Sequence, residues 1–115
     1  MQVITAKAPE IDSNERRRYE RYAVRCECWI ESDHASIYGP TADLGLGGLF
    51  LRTGVPVEHG SRVDILVALG EAREQLVRAE GVVTRIVPAE RGRRHGVGVE
   101  FVSILEGEAT LENLK

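Results

Sequence analysis

Aromatic residues make up only 5% of this 115-residue sequence, so the stacking platforms on which a binder of single-stranded nucleic acid relies are poorly supplied. Positive net charge is also missing. The formal net charge is −3, which argues against a protein that coats DNA or RNA through a basic surface, since such binders need many uncompensated cations. Lysine is nearly absent, occurring only at Lys7 and Lys115. Cationic chemistry therefore falls to arginine, whose planar fork suits bidentate recognition. No run approaches the ~20 apolar residues of a membrane span, and the N-terminus lacks the basic-then-apolar pattern of a signal peptide. A soluble, cytoplasmic protein is the expectation. Cysteine is limited to Cys26 and Cys28. A disulfide between such near neighbours would be strained and a zinc site would need further ligands, so both are read as buried thiols. His34, His59 and His95 fall in separate loops without metal spacing. No nucleophile, base and orienting group stand together and no cofactor motif occurs, so an enzyme is not expected.

What is present suits one small β-domain. At 115 residues the chain is long enough for a single core, and its apolar fraction, 43%, is ordinary for a globular protein. From Val24 to Ile30 apolar residues alternate, with Val24, Cys26, Cys28 and Ile30 on one face and Arg25, Glu27 and Trp29 on the other. The expected strand is Tyr22 to Glu31. Trp29 either lies half-buried under the arm or the C-terminal helix, or marks a partner surface. Ser36 to Asp43 reads as a weaker strand, in which Gly39-Pro40 marks an edge or a bulge. A Gly-rich turn, Asp43 to Gly48, leads into a short apolar strand, Leu49 to Arg52. Arg62 to Leu69 alternates again. Gln75 to Val87 is longer than an ordinary strand, so it is expected to bend at Gly81 and curl across two sides of a barrel. After a loop carrying Arg91, Arg93 and Arg94, expected to be solvated, Gly96 to Val102 closes the set. Leu111 and Leu114 lie at helical spacing, which predicts a short C-terminal helix. Met1 to Glu15 shows no period and reads as a mobile lead-in. Short connections exclude a parallel sheet. The fold class is all-β, a six-stranded antiparallel barrel over 15–103, preceded by a flexible lead-in at 1–14 and followed by a tail at 104–115.

Two stretches stand out. Arg16-Arg17-Arg18-Tyr19-Glu20-Arg21 is an arginine cluster just before the first strand, and Asp43-Leu44-Gly45-Leu46-Gly47-Gly48 follows about one hairpin later. Separately, each has an ordinary reading, since charge runs are usually solvated and an Asp among glycines usually makes a turn. Together they resemble the two signatures of the PilZ domain. The first, an arginine, three residues and an arginine, matches Arg17 and Arg21. The second, Asp or Asn, any residue, Ser or a small residue, two residues and Gly, matches Asp43, Gly45 and Gly48. Gly96-Val97-Gly98-Val99-Glu100-Phe101 is similar to the last strand of such domains. The likeness covers about Glu15 to Ser103.

The resemblance implies a split barrel that binds the bacterial second messenger cyclic di-GMP and needs no other cofactor. Arg17 and Arg21 would wrap the ligand, pairing with guanine O6 and N7 or with phosphate. Asp43 would accept from guanine N1 and N2, and Gly45 and Gly48 would let the backbone approach closely. Arg16 resembles the extra arginine of members that hold a stacked ligand pair. Gly45 stands where the family often has Ser. A lost neutral hydrogen bond of roughly 0.5–1.5 kcal/mol would weaken binding about three- to tenfold. The expected protein is a receptor that signals to an unidentified effector protein, as a monomer or a ligand-dependent dimer. The alternative is a PilZ-like adaptor that works by protein contact without the nucleotide.

Overall fold

Alternating β-branched runs and short polar connections produce strands joined mostly to their sequence neighbours. The computed structural model describes residues 20–114. The expected lead-in, with Arg16 and Arg17, lies outside the described residues. The strands are β1 (Arg21–Tyr22), β2 (Glu27–Glu31), β3 (Ser36–Gly45), β4 (Gly48–Thr53), β5 (Arg62–Leu69), β6 (Gln75–Val87) and β7 (His95–Glu106), followed by a single-turn helix α1 (Glu108–Glu112). All pairings are antiparallel. The order β3-β2-β5-β6-β7-β4 closes through β3–β4 pairing into a six-stranded barrel, and β1 adds to the far end of β3. No described helix is long and apolar enough to cross a membrane.

The barrel's interior is aliphatic. Leu44, Leu49, Leu51, Val67, Val77, Val83, Val97 and Val99 are all completely buried. Alternation explains this: on β5, Val63, Ile65 and Val67 point inward while Arg62 and Asp64 are exposed. Both cysteines are free and buried, on the inward side that the alternation implies. Leu111 of α1 joins the core, so the helix caps the barrel through one side chain. β6 bends as expected. It pairs with β5 over its first half and with β7 over most of its length, with a register shift between Glu80 and Gly81. A Cβ at Gly81 would come within 2.6 Å of the Glu100 carbonyl oxygen, so only glycine lets β6 and β7 meet there.

Four elements differ from the sequence reading. The first strand is broken at Ala23–Cys26, although the in-out alternation of side chains runs through the break. Strand β3 runs straight through Gly39-Pro40 and on to Gly45, because Pro40 lies where β2 begins, opposite Glu27. The turn that was expected over Asp43 to Gly48 shrinks to Leu46 and Gly47; Asp43, Leu44 and Gly45 belong to β3. The last strand extends past Val102 to Glu106. Shifts in its pairing with β6 place Val102 and Leu105 opposite no partner, and both are exposed at 58% and 60%.

Candidate functional site

Where β3 ends, three strands converge. Its last residues pair with β1 on one side, through Arg21↔Gly45 and Tyr22↔Leu44, and with β4 on the other, through Asp43↔Phe50 and Leu44↔Leu49. A β-bulge between Thr41 and Asp43 makes room for this change of partners. Thr41 secures it from beneath. Its buried hydroxyl donates to the Val24 carbonyl at 2.5 Å and accepts from the Cys26 N–H at 3.2 Å, bridging the gap between β1 and β2.

Arg21 is buried at 8% exposure, unusual for an arginine. Its Nη1 lies 3.6 Å from Asp43 Oδ1, an ion pair in which the two side chains are 9% and 18% exposed. Its Nη2 reaches over Gly48, 3.0 Å from where a Cβ would stand. A Cβ at Gly48 would also collide with the Val99 carbonyl, and one at Gly45 with the Glu20 carbonyl. Neither glycine has positive φ; both are small because neighbouring backbone and the Arg21 guanidinium occupy the space. Arg21, Asp43 and Gly48 thus form one site on the outside of the barrel. Gly45 lies beneath β1 and admits it.

The same outer face continues along β4. Leu49 and Leu51 point into the core, so Gly48, Phe50 and Arg52 share the opposite face. Phe50 lies across Gly98 of β7, and a Cβ at Gly96 would strike its ring. The Arg52 guanidinium stands 5.5 Å and that of Arg85 5.1 Å from the ring centroid, both in the cation–π range. Phe50 is consequently only 7% exposed although it points away from the core. Arg52 Nη1 also donates to the Arg94 carbonyl at 3.0 Å, which ties the arginine-bearing β6–β7 loop to this face. Arg91, Arg93 and Arg94 themselves are exposed, as expected for a solvated loop.

Chemically, the face offers guanidinium donors, one carboxylate acceptor and a floor stripped of Cβ atoms. Such a surface suits a flat anionic ligand that also carries N–H donors. Phe50, Arg52 and Arg85 were not singled out from the sequence. Period-two alternation from Gly48 could have placed Phe50 and Arg52 beside it. Arg85 could not have been found that way, because its position opposite Gly98 depends on a register shift after Val83.

Comparison with known proteins gives a consistent picture. The chain resembles the structure of the Bacillus subtilis inhibitor of motility MotI/DgrA with a TM-score of 0.69 and 21% identity, over 83% of this chain and 47% of that one. It therefore spans only about half of the Bacillus protein. It also resembles the PilZ domain of YcgR from Escherichia coli, solved with c-di-GMP, with a TM-score of 0.64 and 23% identity over 84% of this chain and 86% of that one. No curated protein sequence matches it. The family model for the PilZ domain matches residues 15–114, which take in the arginine cluster, the whole barrel and the C-terminal helix, and the chain belongs to the PilZ domain family.

Proposed function

We propose that this chain is a cyclic di-GMP receptor that works in the bacterial cytoplasm and passes the signal to an effector protein. One observation carries the reading: the Arg21 guanidinium lies between Asp43 and Gly48, so the two sequence signatures meet at a single site. Guanine presents O6 and N7 as paired acceptors that a guanidinium meets bidentately, while its N1 and N2 donors suit the Asp43 carboxylate. The two phosphates take charge-assisted hydrogen bonds from Arg16 and Arg17, which stand in the chain just before the site. Gly48 allows the dinucleotide to lie against the strand. Arg52 and Arg85 add flat cationic surfaces beside Phe50 on the same face. Ligand binding biases the segment around β1, and that change is what the effector reads.

Calorimetric titration of cyclic di-GMP, with GMP and GTP as controls and particle mass followed alongside, tests the reading. Saturable binding of cyclic di-GMP alone is expected, and the mass will tell a monomer from a ligand-dependent dimer. Arg21→Ala should cost about 1.5–3 kcal/mol of binding, the worth of hydrogen bonds to a charged group. Equal affinity in wild type and this variant would remove Arg21 from the site. No saturable heat at all would leave the adaptor reading in its place.

A further inference from the structure

Around the barrel, β2 and β5 lie across from β7 and β4, so their outer face, continued onto the β5-paired half of β6, points away from the nucleotide site, whose Arg85 lies farther along β6. Two parallel rows of side chains cross it. In one, Glu31, Asp64 and Glu80 stand directly opposite one another on β2, β5 and β6, and all three are exposed. Two residues further along the strands, Trp29 stands opposite both Tyr38 of β3 and Leu66, and the row ends on β6 at the exposed Arg78, which is paired with Glu106 at 3.8 Å. Trp29 and Tyr38 are 37% and 61% exposed, with ring centroids 4.9 Å apart.

Like charges directly opposite each other destabilise a sheet, and exposed aromatic pairs forgo burial. The acidic row borders a concavity of about 390 Å³, to which Asp33 adds a fourth carboxylate. Arg62 lines it too, yet among the described residues none of these four carboxylates forms an ion pair. Ser36 Oγ donates to Glu31 Oε2 at 3.0 Å.

We propose that this face docks a cationic amphipathic helix of a partner protein, with its basic side chains over Glu31, Asp64 and Glu80 and its apolar side chains on Trp29 and Tyr38. Charge selects the class of occupant. Carboxylates in a row repel phosphate, so nucleic acid and anionic lipid are disfavoured, whereas Lys and Arg are attracted. Geometry selects the form. The barrel is closed, so these strands offer no free edge for an added strand. The two rows are ~7 Å apart at two residues of strand rise, and a helix ~10 Å across covers both when laid across the strands. The inference is independent of nucleotide binding.

The test uses a synthetic Leu/Lys peptide of helical periodicity and its Leu/Glu counterpart. Trp29 is the only tryptophan in the chain, so its emission reports on the face itself. A saturable emission shift with the Leu/Lys peptide, weakened by salt and absent with the Leu/Glu peptide, is expected. By calorimetry, Glu31→Gln/Asp64→Asn/Glu80→Gln and Trp29→Ala should each weaken binding about tenfold or more, as loss of central contacts does. Glu71→Gln/Glu90→Gln/Glu112→Gln removes as much charge elsewhere and should leave binding unchanged. Equal weakening in both triple variants would overturn the proposal, as would a peptide that leaves Trp29 emission unmoved. A particle mass that rises with protein concentration, and that the first triple variant lowers, would also overturn it. The occupant would then be the arginine loop of a second copy.

Discussion

Gly45 sits opposite Arg21 where β1 joins β3, and the space a Cβ would need is taken by the Glu20 carbonyl. The serine common at this position in the family therefore cannot simply be restored. A regained neutral hydrogen bond is worth roughly 0.5–1.5 kcal/mol, whereas forcing atoms into a filled site costs about 1–3 kcal/mol. Gly45→Ser is expected to lower stability in urea unfolding by the larger amount. It should also weaken cyclic di-GMP binding, because β1 carries Arg21. Tighter binding at unchanged stability would show that β1 yields easily. The buried thiols give a second residue-scale outcome. Burial pushes the Cys28 thiol up from 9.0 to about 12, with the neighbouring Cys26 adding to the rise. Because the folded value is raised, the unfolded chain releases its proton first as pH climbs. The stabilisation is complete below about pH 9 and is lost progressively up to about pH 12. Denaturant midpoints should fall across that window in wild type and fall less steeply in Cys28→Val. Parallel slopes in the two proteins would assign the loss to other groups.

At the scale of elements, the break between β1 and β2 separates the short strand that carries Arg21 to Asp43 from the barrel strand that follows it. Thr41 holds that break: its hydroxyl is the hydrogen-bond partner of both the Val24 carbonyl and the Cys26 N–H. Thr41→Val keeps the shape and removes both bonds, leaving buried backbone groups unpaired at a cost of about 1–3 kcal/mol. The expected result is a lower unfolding midpoint together with faster amide exchange at Tyr22 to Cys26; faster exchange spread evenly over the barrel would mean that Thr41 serves the core alone. None of this was legible in the sequence. Side-chain alternation runs unbroken from Val24 to Ile30, so the backbone break leaves no mark on the pattern, and neither does the register shift between β3 and β4 at Thr41 and Asp43. By contrast, β5 and β6 could be read to the residue, because their alternation meets clear turn residues at both ends. The end of β7 could not, since two residues that pair with nothing, Val102 and Leu105, put apolar side chains outside. The site followed the same division. Arg21, Asp43 and Gly48 stand in recognisable spacings, while Arg85 enters only through a register set by the folded sheet.

On the scale of the whole molecule, charge is unevenly distributed between the faces. The outer face around Gly48 gathers Arg21 of β1, Arg52 of β4 and Arg85 of β6, with Asp43 and the exposed Glu100 among them and the Arg91–Arg94 loop beside it, while that of β2, β5 and the first half of β6 holds Glu31, Asp64 and Glu80 flanked by Arg62 and Arg78. A formal net charge of −3 would, if it were spread evenly, oppose an anionic dinucleotide. It is not spread evenly, and distance determines how much the far face matters. The molecule measures 31 × 30 × 27 Å, several times the Debye length of about 8 Å at physiological ionic strength. Carboxylates across the barrel are therefore screened from a ligand on the arginine face, and local pairing should govern affinity. Glu31→Gln/Asp64→Asn/Glu80→Gln leaves the chain formally neutral, yet it should bind cyclic di-GMP at physiological salt within about twofold of wild type. Lowering the ionic strength to about 0.01 M lengthens the screening distance to about 30 Å. Under that condition the variant should become the tighter binder, by calorimetry at matched pH. A gain that persists undiminished at physiological salt cannot come through the solvent, and would require the two faces to be coupled through the barrel itself.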